Sequence, residues 1–371
     1  MDLTPPSRLA FPKPAMLPVV RRTLCLIIVC LLWVGACSSG SSGKKAASTP
    51  PPASTTTLPV SARGIDHVFI VELENKGFDE TWGEESDARY INDSLVPRGM
   101  LLTHYYGVGH ASLDNYIAEI SGQRPNAATR GDCVTYSEYK NGNGCVYPAS
   151  VQTIADQLQA RGLTWKSYQE DMGTPCRHPK LGEGDNTLIA RKGDQYATRH
   201  NPFVYFHSII DSPECATRVV DLKNLDADLA DAKNTPNLVF ITPNLCHDGH
   251  DAPCVDGEPG GLTSADQFVS TLAPKILNSP AYKQGGMFIL MFDEAEGGDS
   301  SSCCGEKGAG GGRTGALLMS PKIKAATIND TPYNHYSLLC SLENNFALEH
   351  LGEAAQKGLR CFGNDVYRTR S

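Results

Sequence analysis

The 371-residue chain is short of basic charge: 33 Lys and Arg stand against 41 Asp and Glu, a net charge of −8. A phosphate backbone demands a basic surface, so nucleic acid is excluded as the main partner. Long apolar runs are also scarce. Leu24 to Val34 is the one stretch apolar enough to enter a bilayer, which excludes a multi-span membrane protein. No Cys-x-x-Cys pair occurs, which argues against a cysteine-bound metal. Gly308 to Gly312 (GAGGG) has no Gly-Lys-Ser/Thr after it, so it is not a phosphate-binding P-loop; a mobile loop is expected there. There is no internal repeat.

What is present is a globular composition, 40% hydrophobic and 20% charged. The 13 cysteines are many for a cytosolic enzyme and point to an oxidising compartment. Arg21-Arg22, the short apolar run and Gly35-Ala36 form the basic end, core and cut site of a secretory signal. Val34-Gly35-Ala36-Cys37 also resembles the lipobox of bacterial lipoproteins, which implies acylation of Cys37. The expected organisation is therefore a lipoprotein signal peptide over 1–37, a disordered Ser/Pro/Thr/Gly linker over 38–62 and a catalytic domain over 63–371. The expected location is outside the cell, lipid-anchored to the outer face of the membrane or secreted. Cleavage before Cys37 leaves 29 basic and 40 acidic side chains, a net charge of −11. It also leaves ten cysteines beyond Cys37, an even number that reads as five disulfides. Short loops favour Cys133–Cys145 and Cys246–Cys254, Cys340–Cys361 would clip the C-terminus, and adjacent Cys303 and Cys304 are expected to bond different partners.

The body alternates between two hydrophobic patterns. Strands are expected at His67–Leu73, Gly99–His104, Leu163–Tyr168, Asn237–Thr242, Met287–Phe292 and Ala316–Met319. Helices are expected at Ser112–Ile120, closed by Ser121-Gly122, and at Val151–Arg161, Arg218–Ala232, Ser264–Leu277 and Tyr333–Leu348. Such alternation predicts an α/β fold, a mostly parallel central sheet with helices on both faces. In such sheets functional groups gather at the carboxyl ends of the strands.

Three apolar strands run straight into polar side chains. The first meets Glu74-Asn75 and another meets Asp293-Glu294. A third precedes Asn244, His247, Asp248, His250 and Asp251. Carboxylates and amides are hard ligands suited to a divalent cation. Ser112 opens a predicted helix, where free N–H groups and the dipole favour a phosphate or an alkoxide. Taken alone, a serine there is more simply a helix cap.

A wider pattern changes that balance. Glu74-Asn75-Lys76-Gly77-Phe78-Asp79 resembles the first motif of the bacterial phosphoesterase family that holds acid phosphatases and phospholipases C. Gly109 to Gly122 resembles its second motif. Arg199 to Phe203, Pro243 to Asp251, Phe292-Asp293-Glu294, and Asn334 to Ser337 with Glu343 resemble later motifs in the same order. The chain is similar to secreted acid phosphatases of mycobacterial type. The resemblance implies an alkaline-phosphatase-like fold and a phosphoric ester hydrolase using one or two divalent metal ions. Ser112, Asn115 and Gly122 keep the spacing of the nucleophile motif in the phosphodiesterase branch of that superfamily. By resemblance, Ser112 is the nucleophile, Asn115 and His110 bind substrate, and Glu74, Asn75, Asp293, Glu294 and Asp248 hold the metal. His200, His250 and His335 are implied to line the phosphate site. Ala111, Asp114 and Lys76-Gly77 depart from the family's motifs, which leaves substrate preference open. The implied substrate is a phosphate monoester. The alternatives are a phospholipid head group cleaved by phospholipase C-type chemistry, or a non-catalytic lipoprotein that binds a ligand.

Overall fold

A computed structural model of the chain describes residues 61–306 and 308–368. The signal peptide, the Cys37 acylation site and the linker up to residue 60 lie outside the described residues. The last two linker positions are tied to the body: Ser61 Oγ donates to Asp66, and the Ala62 N–H donates to Asn345 O at 2.7 Å.

Among the described residues ten strands follow in chain order. They are β1 (Val68–Leu73), β2 (Met100–Leu102), β3 (Tyr105–Tyr106), β4 (Trp165–Gln169), β5 (Val219–Asp221), β6 (Leu238–Thr242), β7 (Met287–Phe292), β8 (Ala316–Met319), β9 (Thr327–Asn329) and β10 (Tyr333–Asn334). Eight form one sheet in the order β5-β4-β6-β1-β7-β8-β2-β9, and β10 pairs with β3. The run from β5 to β7 is parallel, and β8 is antiparallel to both neighbours. The predicted mostly parallel α/β sheet is thus present. Its central strands are apolar on both sides because both faces are covered. Val68 and Ile70 join the core beneath helices Ser112–Ser121 and His335–Phe346, whereas Phe69, Val71 and Leu73 join the core under helix Gly261–Asn278. Among the described residues no helix is long and apolar enough to cross a membrane.

Two expectations need correction. Residues 218–232 are not one helix: Val219–Asp221 is an edge strand, and only Leu225–Leu229 is α-helical. Two β-branched valines with their side chains buried against the sheet outweigh the helical pattern that follows them. Cys303 and Cys304 bond each other, so they do not take separate partners. Among the described residues the other eight cysteines pair as Cys133–Cys145, Cys176–Cys215, Cys246–Cys254 and Cys340–Cys361, which leaves no free partner there for either.

Glu343 is fully buried in the last helix. It accepts the Leu351 N–H at 2.8 Å, and its other oxygen has no hydrogen-bond partner among the described residues. Burial pushes its carboxyl up to about 8, from an ordinary value of 4.5. Between those values the folded chain keeps a proton that the unfolded chain has lost, so stability falls as pH rises. Glu343→Gln is expected to flatten that dependence. In thermal melts at pH 5 and pH 8, about 2–4 kcal/mol of the wild-type decline should disappear.

Candidate active site

The site grows from the carboxyl end of the sheet. β1 delivers Glu74 and β7 delivers Asp293, side by side because the two strands pair in register through Leu73 and Phe292. Asn75 turns the chain at φ 51°, a left-handed conformation that Asn tolerates better than most residues. Its N–H donates to Asp293 Oδ1 at 3.0 Å, and the Glu294 N–H donates to the same oxygen at 2.7 Å. The loop after β6 joins them: the Glu74 N–H donates to Asp248 O, and Asp248 Oδ1 accepts the His250 N–H.

Ser112 is the first residue of helix Ser112–Ser121. Its side chain does not cap the helix: Ala111 holds the cap position with no side-chain bond, and Asp132 accepts the Leu113 N–H from a separate loop. The hydroxyl instead donates to Glu74 Oε2 at 2.8 Å. Asn115, a turn further on, is fully enclosed. Its oxygen accepts the Val108 and Gly109 N–H groups, while its amide donates to Gly109 O, Ala111 O and Glu294 Oε2. It therefore holds the loop before Ser112 against Glu294. Glycines allow this closeness. A Cβ on Gly107 would lie 2.6 Å from Asp293 O, and one on Gly311 2.3 Å from Gly109 O. The segment expected to be a mobile loop is pinned there, with Gly311 N–H bonded to Gly107 O and Gly107 N–H to Gly312 O.

A pocket opens above, lined by Asn75, His110, Ser112, Asp132, Arg199, His250 and Glu294, with Val134 and Leu188 at its rim. Arg199 and Asp132 had no sequence-assigned role. Arg199 was legible only as part of the motif before His200, and Asp132 carries no local signal. Arg199 is nearly buried and donates to Leu188 O. Of the three predicted histidines, only His250 lines the pocket; it is half exposed and paired with Asp251 at 2.9 Å. That hydrogen bond, with the Glu74 and Asp248 charges, raises its pKa against burial. His200 is buried below, stacked on Tyr116, with Nε2 3.4 Å from Glu74 Oε1 and Nδ1 3.5 Å from Asp248 Oδ2. Burial, then the Arg199 and His250 charges, hold it well below its ordinary range, so the ring is neutral. His110 is exposed and bonded to Asp299 O. His335 does not reach the pocket. Its ring is fully buried, with Nε2 2.7 Å from Asp293 O.

The acids are crowded. Burial raises Glu74 to about 6, and burial with the Glu74 charge raises Glu294 to about 10. Asp293 and Asp248 are pushed well up by burial and then by Glu74. Among the described residues Glu74 Oε1, Asn75 Oδ1, Asp248 Oδ2 and Asp293 Oδ2 are buried without a hydrogen-bond partner. Orphaned hard oxygens facing mutual repulsion are the donor chemistry of a divalent cation, so these residues fit one. The carboxylates of Glu74, Asp293 and Glu294 do not, however, draw together within 4.8 Å of one another.

The sheet order and its helical layers define an α/β protein of alkaline-phosphatase-like fold. The same fold occurs in a Bacteroides thetaiotaomicron protein provisionally assigned as a sulfatase, with a TM-score of 0.50 at 12% identity over 82% of this chain and 75% of that one. The sequence profile of the Phosphoesterase family matches residues 92–349, and the chain belongs to that family. It is 29% identical over 298 residues to the phosphate-repressible acid phosphatase of Penicillium chrysogenum, covering 79% of this chain and 62% of the relative. It is 28% identical over 296 residues to an acid phosphatase of Aspergillus fumigatus, covering 79% and 57% respectively. The chain thus spans about three-fifths of the length of these curated relatives.

Proposed function

We propose that the protein is a metal-dependent, acid phosphatase-like phosphomonoesterase that uses Ser112 as nucleophile. The observation that carries this reading is the 2.8 Å hydrogen bond from Ser112 Oγ to a buried Glu74, at a helix start that caps nothing. Glu74 takes the hydroxyl proton as Oγ forms its bond to phosphorus and the ester oxygen leaves. His250, raised in pKa and open to the pocket, protonates the departing alkoxide. Water then releases phosphate from the phosphoserine. Arg199 holds the anionic oxygens, with the positive end of the helix dipole beside them. Glu74, Asn75, Asp293 and Glu294 would hold a divalent cation, which supplies charge neutralisation of the phosphoryl group and acidifies the hydroxyl. Asp248, whose Oδ2 also lacks a hydrogen-bond partner among the described residues, would add a further oxygen beside Glu74.

Export, the Cys37 lipid anchor and closeness to mycobacterial-type secreted phosphatases belong to the same proposal. The five disulfides support an oxidising compartment. A second reading, cleavage of phospholipid head groups, draws support from the apolar rim, where Val134 is 58% exposed.

Hydrolysis of p-nitrophenyl phosphate against its bis-ester, with and without chelator, separates these readings. The monoester should be cleaved at least about tenfold faster, and chelation should cost at least about tenfold, reversed by added divalent cation. A bis-ester preference would favour the lipid reading. Inertness towards both esters with metal present would sink the enzymatic one.

A further inference from the structure

Below the pocket lies a second group of ionisable side chains that the reaction does not use. Glu72 stands two residues before Glu74 on β1 and faces the same helical layer. Glu119 lies seven residues after Ser112 on its helix, and His335 opens the last helix. One carboxylate oxygen from each acid and a ring nitrogen of His335 lie within 4.8 Å of one another, all fully buried. Nδ1 of His335 is 2.5 Å from Glu119 Oε1 and 3.1 Å from the Tyr105 hydroxyl.

The protons do not balance in an obvious way. Nε2 of His335 faces the Asp293 carbonyl, which can only accept, so Nε2 carries the ring proton. In a neutral ring Nδ1 is then a lone pair, which faces both the Tyr105 hydroxyl and a Glu119 carboxylate oxygen. Glu72 is a separate observation. Neither of its oxygens has a hydrogen-bond partner among the described residues, though the side chain is fully buried and turned into this group. Burying an unpaired carboxylate is costly, and two beside each other more so.

We propose that Glu72, Glu119 and His335 form a closed structural site for a divalent transition-metal cation of the zinc or manganese class. Two carboxylates cancel its charge, and His335 Nδ1 supplies the nitrogen ligand. One nitrogen and several oxygens favour such a cation over calcium or magnesium, which take oxygen alone. With every member buried and no opening to the pocket, the site offers no place for substrate, as in structural rather than catalytic centres. The ion would staple β1, the Ser112 helix and the last helix together beneath the nucleophile. This inference does not rest on the pocket being a phosphatase.

The test counts metal in the full chain. Asp293→Asn with Glu294→Gln serves as host, so that the pocket's own ligands are disabled. Produced with zinc and manganese supplied, then stripped on chelating resin while folded, the host should keep about one ion per chain by mass spectrometric metal analysis. Adding Glu119→Gln should drop that to below about a tenth, with the near-ultraviolet circular dichroism unchanged. A host without metal, or an ion that survives Glu119→Gln, overturns the proposal; in those cases shared protons hold the cluster instead. Should the Glu119 variant not fold, anomalous scattering from wild-type crystals decides. A peak between Glu72, Glu119 and His335 is expected, and its absence refutes the site.

Discussion

Ser112→Ala is expected to reduce turnover of p-nitrophenyl phosphate by at least about a thousandfold while the protein melts within a few degrees of wild type. The structural cost is small because the hydroxyl makes one side-chain hydrogen bond, to Glu74, and caps no helix. The catalytic cost is large because no other hydroxyl or thiol lines the pocket among the described residues. A retained covalent phosphoenzyme, or near wild-type rates, would overturn the nucleophile assignment. Acid-quenched wild-type enzyme should carry labelled phosphate on Ser112, and the variant none.

Glu74→Gln is the second large effect. The change keeps shape but removes the base for Ser112 and one negative charge from the ligand set. It should lower turnover by about 10²–10³-fold and reduce bound metal. Placed in the Ser112→Ala background it should cost almost nothing further, because the two groups act as a unit. Additive losses would mean that Glu74 serves substrate or fold independently of the serine. Retained metal with lost turnover would separate its role as base from its role as ligand.

Much of this architecture was readable in the amino-acid order. Met287–Phe292 and Ala316–Met319 are strands at the expected residues, since runs of buried apolar side chains leave few alternatives. Helix Ser112–Ser121 ends where expected, on Gly122 at φ 67°. Strand ends also located Glu74 and Asp293 side by side, with Glu74 against Ser112, because a parallel sheet sends all its carboxyl ends to one edge. What failed was short or non-local. Val219–Asp221 is too brief to show a period of two. Asp132 reaches the Leu113 N–H from a loop whose path no spacing reveals. His335 sits in a motif that resembles a site motif, yet its position at the start of a helix turns the ring under Asp293 rather than over it. Cys303 and Cys304 were assigned partners on the assumption that neighbours avoid each other.

The point at which the body begins has a consequence for orientation. Ala62 bonds to Asn345, at the far end of the helix that His335 opens beneath Asp293, and six residues later β1 starts its climb towards Glu74. Whatever precedes Ser61 therefore joins the molecule on the rim remote from Ser112. A tag or label placed ahead of Ser61 would therefore leave the mouth of the pocket clear.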